Sequence, residues 1–144
     1  MLYSKKIKKA FNIAYSAHHG QYDKSGMPYI FHPVHLAERM SSEEEIIIAL
    51  LHDVVEDSKI SIEELKKEGI DDNILEAISL LTHDKSEDYM EYIKKIKNNP
   101  LACSVKIADL THNSDISRID NPSVKDYERL EKYKKALDIL RNNK

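Results

Sequence analysis

The sequence predicts an all-helical, single-domain protein. Three observations carry the prediction. Glycine is scarce, with three in 144 residues, which argues against a loop-rich β fold. The four prolines (Pro28, Pro33, Pro100, Pro122) all fall between apolar-periodic stretches, where an interrupted helical chain tolerates them. Apolar residues also recur at three- and four-residue spacing over most of the chain. A length of 144 residues suits one domain of about 100–200 residues.

The first helix is expected from Ser4 to His18, with Ile7, Ala10, Phe11, Ala14 and Ala17 on one face. The segment from Gln21 to Tyr29 reads as a polar loop. Pro33 suits the first position of a second helix, with His32 at its N-cap and an end near Met40. Ser42-Glu43-Glu44-Glu45 is a capping-box pattern. The run Ile46-Ile47-Ile48-Ala49-Leu50-Leu51 behind it has no polar side, so the third helix is expected to be buried all round. Ser61 and Glu64 open a short fourth helix that Gly69 closes. A fifth is expected from Asp72 to Leu81, a sixth from Ser86 to Asn98, and a seventh from Pro100. The last starts at Asn121-Pro122 and presents Tyr127, Leu130, Tyr133 (or Lys134), Leu137 and Leu140.

Composition excludes several functions. The net charge is −3, too small and of the wrong sign to recruit nucleic acid or an anionic membrane. No stretch approaches the ~18 apolar residues of a membrane span. Neither Gly-rich phosphate-loop pattern is present. The single cysteine, Cys103, excludes an intrachain disulfide framework and a Cys-rich zinc site. These features predict a soluble, cytoplasmic protein.

His52-Asp53 sits where the buried run meets the acid-rich segment Asp53-Val54-Val55-Glu56-Asp57. Taken alone, the pair reads equally as a histidine capping its helix C-terminus beside a surface aspartate. His32 and Asp109 share the unusual placement against apolar surroundings. A carboxylate near an apolar face costs several kcal/mol unless it is paired or metal-bound. His32, His52, Asp53 and Asp109 would make an N2O2 site suited to manganese, iron or zinc, with room for water. For Asp109 the other reading is a buried salt bridge to Lys106, three residues earlier. Glu56 and Asp57 lie close enough in sequence to orient or deprotonate a water held at such a site. His18 and His19 are expected to meet the carbonyls ending the first helix, His35, one turn from His32, to back it or more readily to lie at the surface, and His83 to lie in a polar turn.

Three ordered motifs then resemble a known family. They are Tyr29-Ile30-Phe31-His32-Pro33, Ala49-Leu50-Leu51-His52-Asp53-Val54-Val55-Glu56-Asp57, and Val105-Lys106-Ile107-Ala108-Asp109 followed by His112-Asn113. Together with His19-Gly20-Gln21 and Lys24-Ser25-Gly26 upstream, they resemble the HD-superfamily hydrolase domain of RelA/SpoT-type proteins, in particular the small stand-alone alarmone hydrolases. The resemblance implies an all-α HD bundle in which His32, His52, Asp53 and Asp109 hold one divalent ion, most simply manganese. It implies that Glu56 and Asp57 activate the attacking water. It further implies that Lys24, Ser25, Asn113 and Tyr133 contact a small-molecule nucleotide. The implied reaction removes the 3′-pyrophosphate from guanosine tetra- or pentaphosphate. Lys85, Lys106 and Arg118 are further candidates to offset the substrate's charge. The sequence departs from the family at Asp23, where an arginine is usual, and at Leu110-Thr111, which also lacks an arginine. These departures leave another phosphorylated substrate, or a non-catalytic nucleotide sensor, as alternatives. Residues 1–144 are expected to be one hydrolase domain with no synthetase half. The C-terminal helix is a candidate homo-oligomer face.

Overall fold

The computed structural model describes residues 3–142. Nine α-helices follow one another among them: α1 (Lys5–His18), α2 (Phe31–Ala37), α3 (Glu43–Leu51), α4 (Val54–Asp57), α5 (Ile62–Lys67), α6 (Asp72–Leu81), α7 (Tyr89–Lys97), α8 (Pro100–Asn113) and α9 (Val124–Arg141). A single 3-10 turn, Ile116–Arg118, links the last two. The β pairing among the described residues is one isolated bridge between Tyr22 and Pro28. The all-α expectation holds.

Helix α3 is the axis of the bundle. Its Ile46–Leu51 run is buried on every side, because α1, α2, α6 and α8 all pack on it. Each large aliphatic side chain so enclosed contributes roughly 1.5–3 kcal/mol. Helix α9 packs outside, on α7 and α8. No helix of the described residues is long and apolar enough to cross a membrane.

Capping chemistry sets most boundaries. Ser4, Ser42, Ser61, Asp88, Asn99 and Ser123 each accept a backbone N–H of the first turn behind them. Gly69 closes α5 at φ 90°. Its own N–H donates to Lys66 and that of Ile70 donates to Leu65, a Schellman closure that needs a left-handed residue. Helix α6 has the predicted bounds.

Other boundaries differ from the sequence reading. Helix α2 begins at Phe31 and ends at Ala37, so Pro33 is its third residue and His32 its second. The first four helical N–H groups have no intrahelical acceptor, so a proline anywhere among them sacrifices nothing. Helix α7 starts at Tyr89 rather than Ser86. Asp84 folds residues 84–86 into a turn by accepting the Ser86 N–H and hydroxyl. Helix α9 starts at Val124, because the Ser123–Asp126 capping box overrides the upstream Asn121-Pro122. Only its C-terminal half, Ala136, Leu137 and Leu140, enters the core. Tyr127 is exposed, whereas Leu130 and Tyr133 line a cavity. The short helix α4 was not anticipated. It turns the chain immediately after Asp53.

Candidate active site

His52 ends the buried helix α3 with only 2% of its surface exposed. Its Nδ1 donates to the carbonyl of Ala49 at 2.6 Å, satisfying a C-terminal carbonyl that the helix leaves open. The cap reading of His52 is therefore correct for one ring nitrogen. That bond occupies Nδ1 and leaves Nε2 to face the cluster, where it offers a lone pair once its own proton is displaced. It faces Asp53 Oδ2 at 3.0 Å and Asp109 Oδ1 at 3.6 Å, and it is buried without a hydrogen-bond partner. Two carboxylates held against this nitrogen need a cation between, either a proton or a metal ion.

His32 reaches the same point from the first turn of α2. Its Nε2 is 2.8 Å from Asp109 Oδ1. Asp109 comes from the buried side of α8. Ligand atoms of His32, His52 and Asp109 lie within 4.8 Å of one another, and so do carboxylate oxygens of Asp53, Glu56 and Asp57. Asp53 links the second group to the first through its contact with His52. The donor set, two imidazoles and two carboxylates with an orphaned Nε2 at its centre, fits a divalent cation. Burial alone would push the Asp53 and Asp109 carboxyls up. The charge of His52 on Asp53, and of Lys106 on Asp109, overrides it and holds both below the ordinary range. Burial likewise opposes a charge on His52, but Asp53 and Asp109 together hold its proton well above the usual range. A divalent ion entering the cluster displaces that proton.

The candidate ligands are themselves held. Lys106 Nζ donates to Asp109 Oδ2 at 3.0 Å and Asn113 Nδ2 to Oδ1 at 3.1 Å, which confirms the salt bridge considered for Lys106. The Tyr29 hydroxyl donates to Asp53 Oδ2. His32 Nδ1 meets His112 Nδ1 at 2.7 Å, and His112 is stacked between His32 and His35 with ring centroids 5.0 and 3.8 Å away. Desolvation, then the charge of Arg118 and the neighbouring histidines, pull His112 down to about 4. His112 is thus neutral near pH 7 and able to accept the Nδ1 proton when His32 turns its Nε2 lone pair to a metal. His35 therefore backs the cluster rather than lying free at the surface. His18 is buried as well, its ring 4.7 Å from Tyr29 and its Nδ1 shared with the Gln21 side chain, instead of meeting terminal carbonyls.

Glu56 and Asp57 stand beside Asp53 but differ from each other. Glu56 accepts the backbone N–H of His83 at 2.8 Å, so the His83 turn fixes it. The Asp57 side chain has no such partner among the described residues. Burial, then the charges of Asp53 and Glu56, push its carboxyl up to about 6.

Two cavities meet at this cluster. One, of about 360 Å³, includes Asp53, Glu56, Asp57, Lys106 and Asp109 in its lining. The other, of about 270 Å³, includes Ser25, Arg118, Arg129 and Leu130. Lys24, Tyr29, Asn113 and Tyr133 line both. Of the expected substrate residues, Lys24, Asn113 and Tyr133 therefore lie at this junction, and Ser25 lies on the wall of the 270 Å³ cavity. Lys85 lines neither cavity. Asp23 is not a free negative charge. Its Oδ1 accepts Ser25 N–H, Ser25 hydroxyl and Met27 N–H, and its Oδ2 pairs with Arg118 at 3.1 Å. Arg118 also donates to the His112 carbonyl at 2.9 Å. A guanidinium thus occupies the wall where Asp23 had left one wanting.

A His-Asp pair at the end of a buried helix, joined by one histidine and one aspartate from two distant helices, defines an HD-type domain. Within that class the chain is related to the RelA/SpoT-type hydrolases. It is 37% identical over 124 residues to a guanosine-3′,5′-bis(diphosphate) 3′-pyrophosphohydrolase of Borreliella burgdorferi, a match covering 76% of the chain and 18% of the relative. It is 35% identical over 115 residues to the Haemophilus influenzae protein of that name, covering 70% of the chain and 17% of the relative. It is 33% identical over 124 residues to the bifunctional (p)ppGpp synthase/hydrolase SpoT of Escherichia coli, covering 76% and 18%. The chain thus spans under a fifth of the length of these relatives. Its fold is that of a solved metazoan SpoT ortholog described as hydrolysing ppGpp, with a TM-score of 0.78 at 24% identity over 99% of this chain and 89% of that one. No protein-family model matches.

The metal assignment predicts a thermal shift. A divalent cation at about 100 times its dissociation constant adds about 2.7 kcal/mol, or about 5–10 °C for a protein of this size. Thermal melts of chelator-treated protein, with and without manganese, are expected to show this rise for the wild type and none for His52→Ala. Equal shifts in both would remove His52 from the site.

Proposed function

We propose that this chain is a divalent-metal phosphohydrolase that removes the 3′-pyrophosphate of guanosine tetra- or pentaphosphate, with manganese as its ion. The observation that carries the reading is the convergence of His32, His52, Asp53 and Asp109 beside a carboxylate, Asp57, raised to about 6. The names of the relatives supply the substrate.

His32, His52, Asp53 and Asp109 would hold the ion. When bound, a divalent ion lowers the pKa of coordinated water and polarises a phosphate oxygen. Asp57 takes the proton from the attacking water, its carboxyl lying nearer neutrality than an ordinary aspartate. Glu56, tied to the His83 amide, orients that water. Water adds to the phosphorus attached at the 3′ position and the ester bond to the 3′ oxygen breaks. The 3′ oxygen gains a proton and pyrophosphate departs. Lys24 balances charge at the junction of the two cavities. Asn113, steadied by its bond to Asp109 Oδ1, still offers an amide oxygen. The Ser25 hydroxyl donates to Asp23, so it meets a ligand as an acceptor. Tyr133 and Leu130 give a flat apolar wall for a nucleoside, and the Arg118 cation is held beside it.

The test is incubation of purified protein with manganese and guanosine tetraphosphate, scored separately for pyrophosphate and orthophosphate. Pyrophosphate release, abolished by chelator, is expected. Orthophosphate alone would reassign the bond broken. Bound metal with no turnover would reject the substrate and favour a nucleotide sensor.

A further inference from the structure

The carboxylate of Asp57 is held by no hydrogen bond of its own among the described residues, so its aim depends on its main chain. That main chain belongs to α4, which is four residues long, and a helix of one turn has no stability of its own. Both backbone groups of Asp57 are nevertheless tied. The N–H donates to the Asp53 carbonyl at 2.9 Å. The carbonyl, at the end of the turn, accepts from Gln21 Nε2 at 2.9 Å across 36 residues of chain.

Gln21 stands just past the end of α1, and every polar group of its side chain is used. Its Oε1 lies 2.8 Å from His18 Nδ1, and Nε2 also reaches the Ala17 carbonyl at 3.4 Å. Turning the amide over would set its oxygen against two carbonyls, so the orientation is fixed and His18 Nδ1 is the donor. His18 is 2% exposed. Burial pulls its pKa below the ordinary histidine value, which leaves a neutral ring with its one proton on Nδ1. The Gln21 main chain reaches the other carboxylate. Its carbonyl accepts the Tyr29 N–H at 2.9 Å, and the Tyr29 hydroxyl donates to Asp53. A residue that lines neither cavity is thus joined to Asp53 through its backbone and to Asp57 through its side chain.

We propose that Gln21, locked by His18, is a strut that sets the position from which Asp57 meets the attacking water. This rests on the phosphohydrolase reading above. Gln21 is a positioning residue, since it faces neither the ion site nor the substrate cavities. Without the strut the last peptide of α4 is free to rotate, and a base displaced by about 1 Å costs about 100-fold in rate. The tie from the Gln21 carbonyl to Tyr29 belongs to the backbone and survives a change of side chain, so the metal cluster is spared.

Gln21→Met removes both side-chain bonds at nearly equal size. Gln21→Glu keeps an acceptor for His18 but has no donor for the Asp57 carbonyl. Both are expected to lower kcat about 10- to 100-fold and to leave KM and manganese affinity within about threefold of wild type. Hydrogen exchange of α4 and Ser58 is expected to run about 10-fold faster in both, with α3 unchanged. His18→Leu unlocks the amide without removing it and is expected to cost kcat about 3- to 10-fold. Added to Gln21→Met it is expected to cost almost nothing more, because it acts through Gln21. Unchanged exchange in α4 overturns the strut. So does faster exchange with unaltered kcat, a loss confined to KM or metal affinity, or full additivity of the His18 and Gln21 effects. Bis(para-nitrophenyl) phosphate, a diester with no nucleoside, separates the strut from the choice of substrate. The strut acts on the attacking water, so kcat is expected to fall by the same factor on this diester and on guanosine tetraphosphate. Wild-type turnover of the diester alone, lost in the variants, rejects the nucleotide and keeps the strut. Turnover of guanosine tetraphosphate that the variants match keeps the reaction and removes the strut, and a wild type inactive on both removes both.

Discussion

Asp57→Asn is expected to yield a protein that keeps its metal, folds more stably and has almost no turnover. The loss follows from removing the group that takes the water's proton, an effect of about 10²–10⁴-fold. Metal content is expected to stay near that of wild type, because Asp53, and not Asp57, is the carboxylate of this segment that meets His52. The gain in stability follows from linkage. The carboxyl of Asp57 is pushed up from 3.8 to about 6 in the folded chain by burial and by Asp53 and Glu56. A raised carboxyl favours the folded state below pH 4, and that advantage is lost as pH rises through 6. Above pH 6 the folded state carries an ionised group it disfavours. A shift of this size corresponds to at most about 3 kcal/mol, and solvent screening of the exposed side chain reduces it to about 1 kcal/mol. Urea unfolding of metal-free protein is therefore expected to show Asp57→Asn more stable by about 1 kcal/mol at pH 7 and level with wild type at pH 4. A variant destabilised at pH 7 would show that Asp57 makes a structural bond, and the assignment of the base would pass to Glu56.

That opposition between stability and chemistry marks what the sequence could reveal. Local patterns were readable where local physics decides. Ser61 with Glu64 and Gly69 bounded α5, Pro100 opened α8, and the unbroken apolar run placed α3 at the centre. The four proposed ligands were readable because histidine and aspartate at the rim of apolar stretches violate the pattern around them. Helix α4 was missed because four residues rich in carboxylates carry no periodicity. Tyr127, Leu130 and Tyr133 were placed on one face of α9 with Leu137 and Leu140, because cavity walls and core faces use the same apolar side chains. The bonds that position the site were beyond reach for a different reason. Asp23 and Arg118 are 95 residues apart, His32 and His112 are 80 apart, and Glu56 meets the His83 amide across 27. No spacing rule links such pairs. The departure at Asp23 loses its weight once Arg118, its distant partner, is paired with it.

Asp109→Ala is expected to damage the fold as well as the site, and the larger part of that damage belongs to Lys106. Lys106 is nearly fully buried, and the charge of Asp109 holds its proton in place against a strong desolvation penalty. Removing one partner of a buried pair leaves an uncompensated charge and costs about 3–5 kcal/mol. A small helical domain stabilised by about 5–15 kcal/mol loses much of its margin in that way. Replacing both partners, as in Asp109→Ala with Lys106→Met, removes the stranded ammonium while its aliphatic bulk remains against Tyr92. The double variant is expected to regain at least about 2 kcal/mol over Asp109→Ala in urea unfolding, and to bind no more metal than the single variant. Lys106→Met alone is expected to keep metal but bind it about 10-fold or more weakly, since Asp109 Oδ2 then loses the donor that fixes its orientation. Stability and metal affinity thus separate along one ion pair, because the aspartate faces the metal cluster with one oxygen and the lysine with the other. A single variant that unfolds within about 1 kcal/mol of wild type would mean that water reaches Lys106, and the buried pair would no longer account for the placement of Asp109.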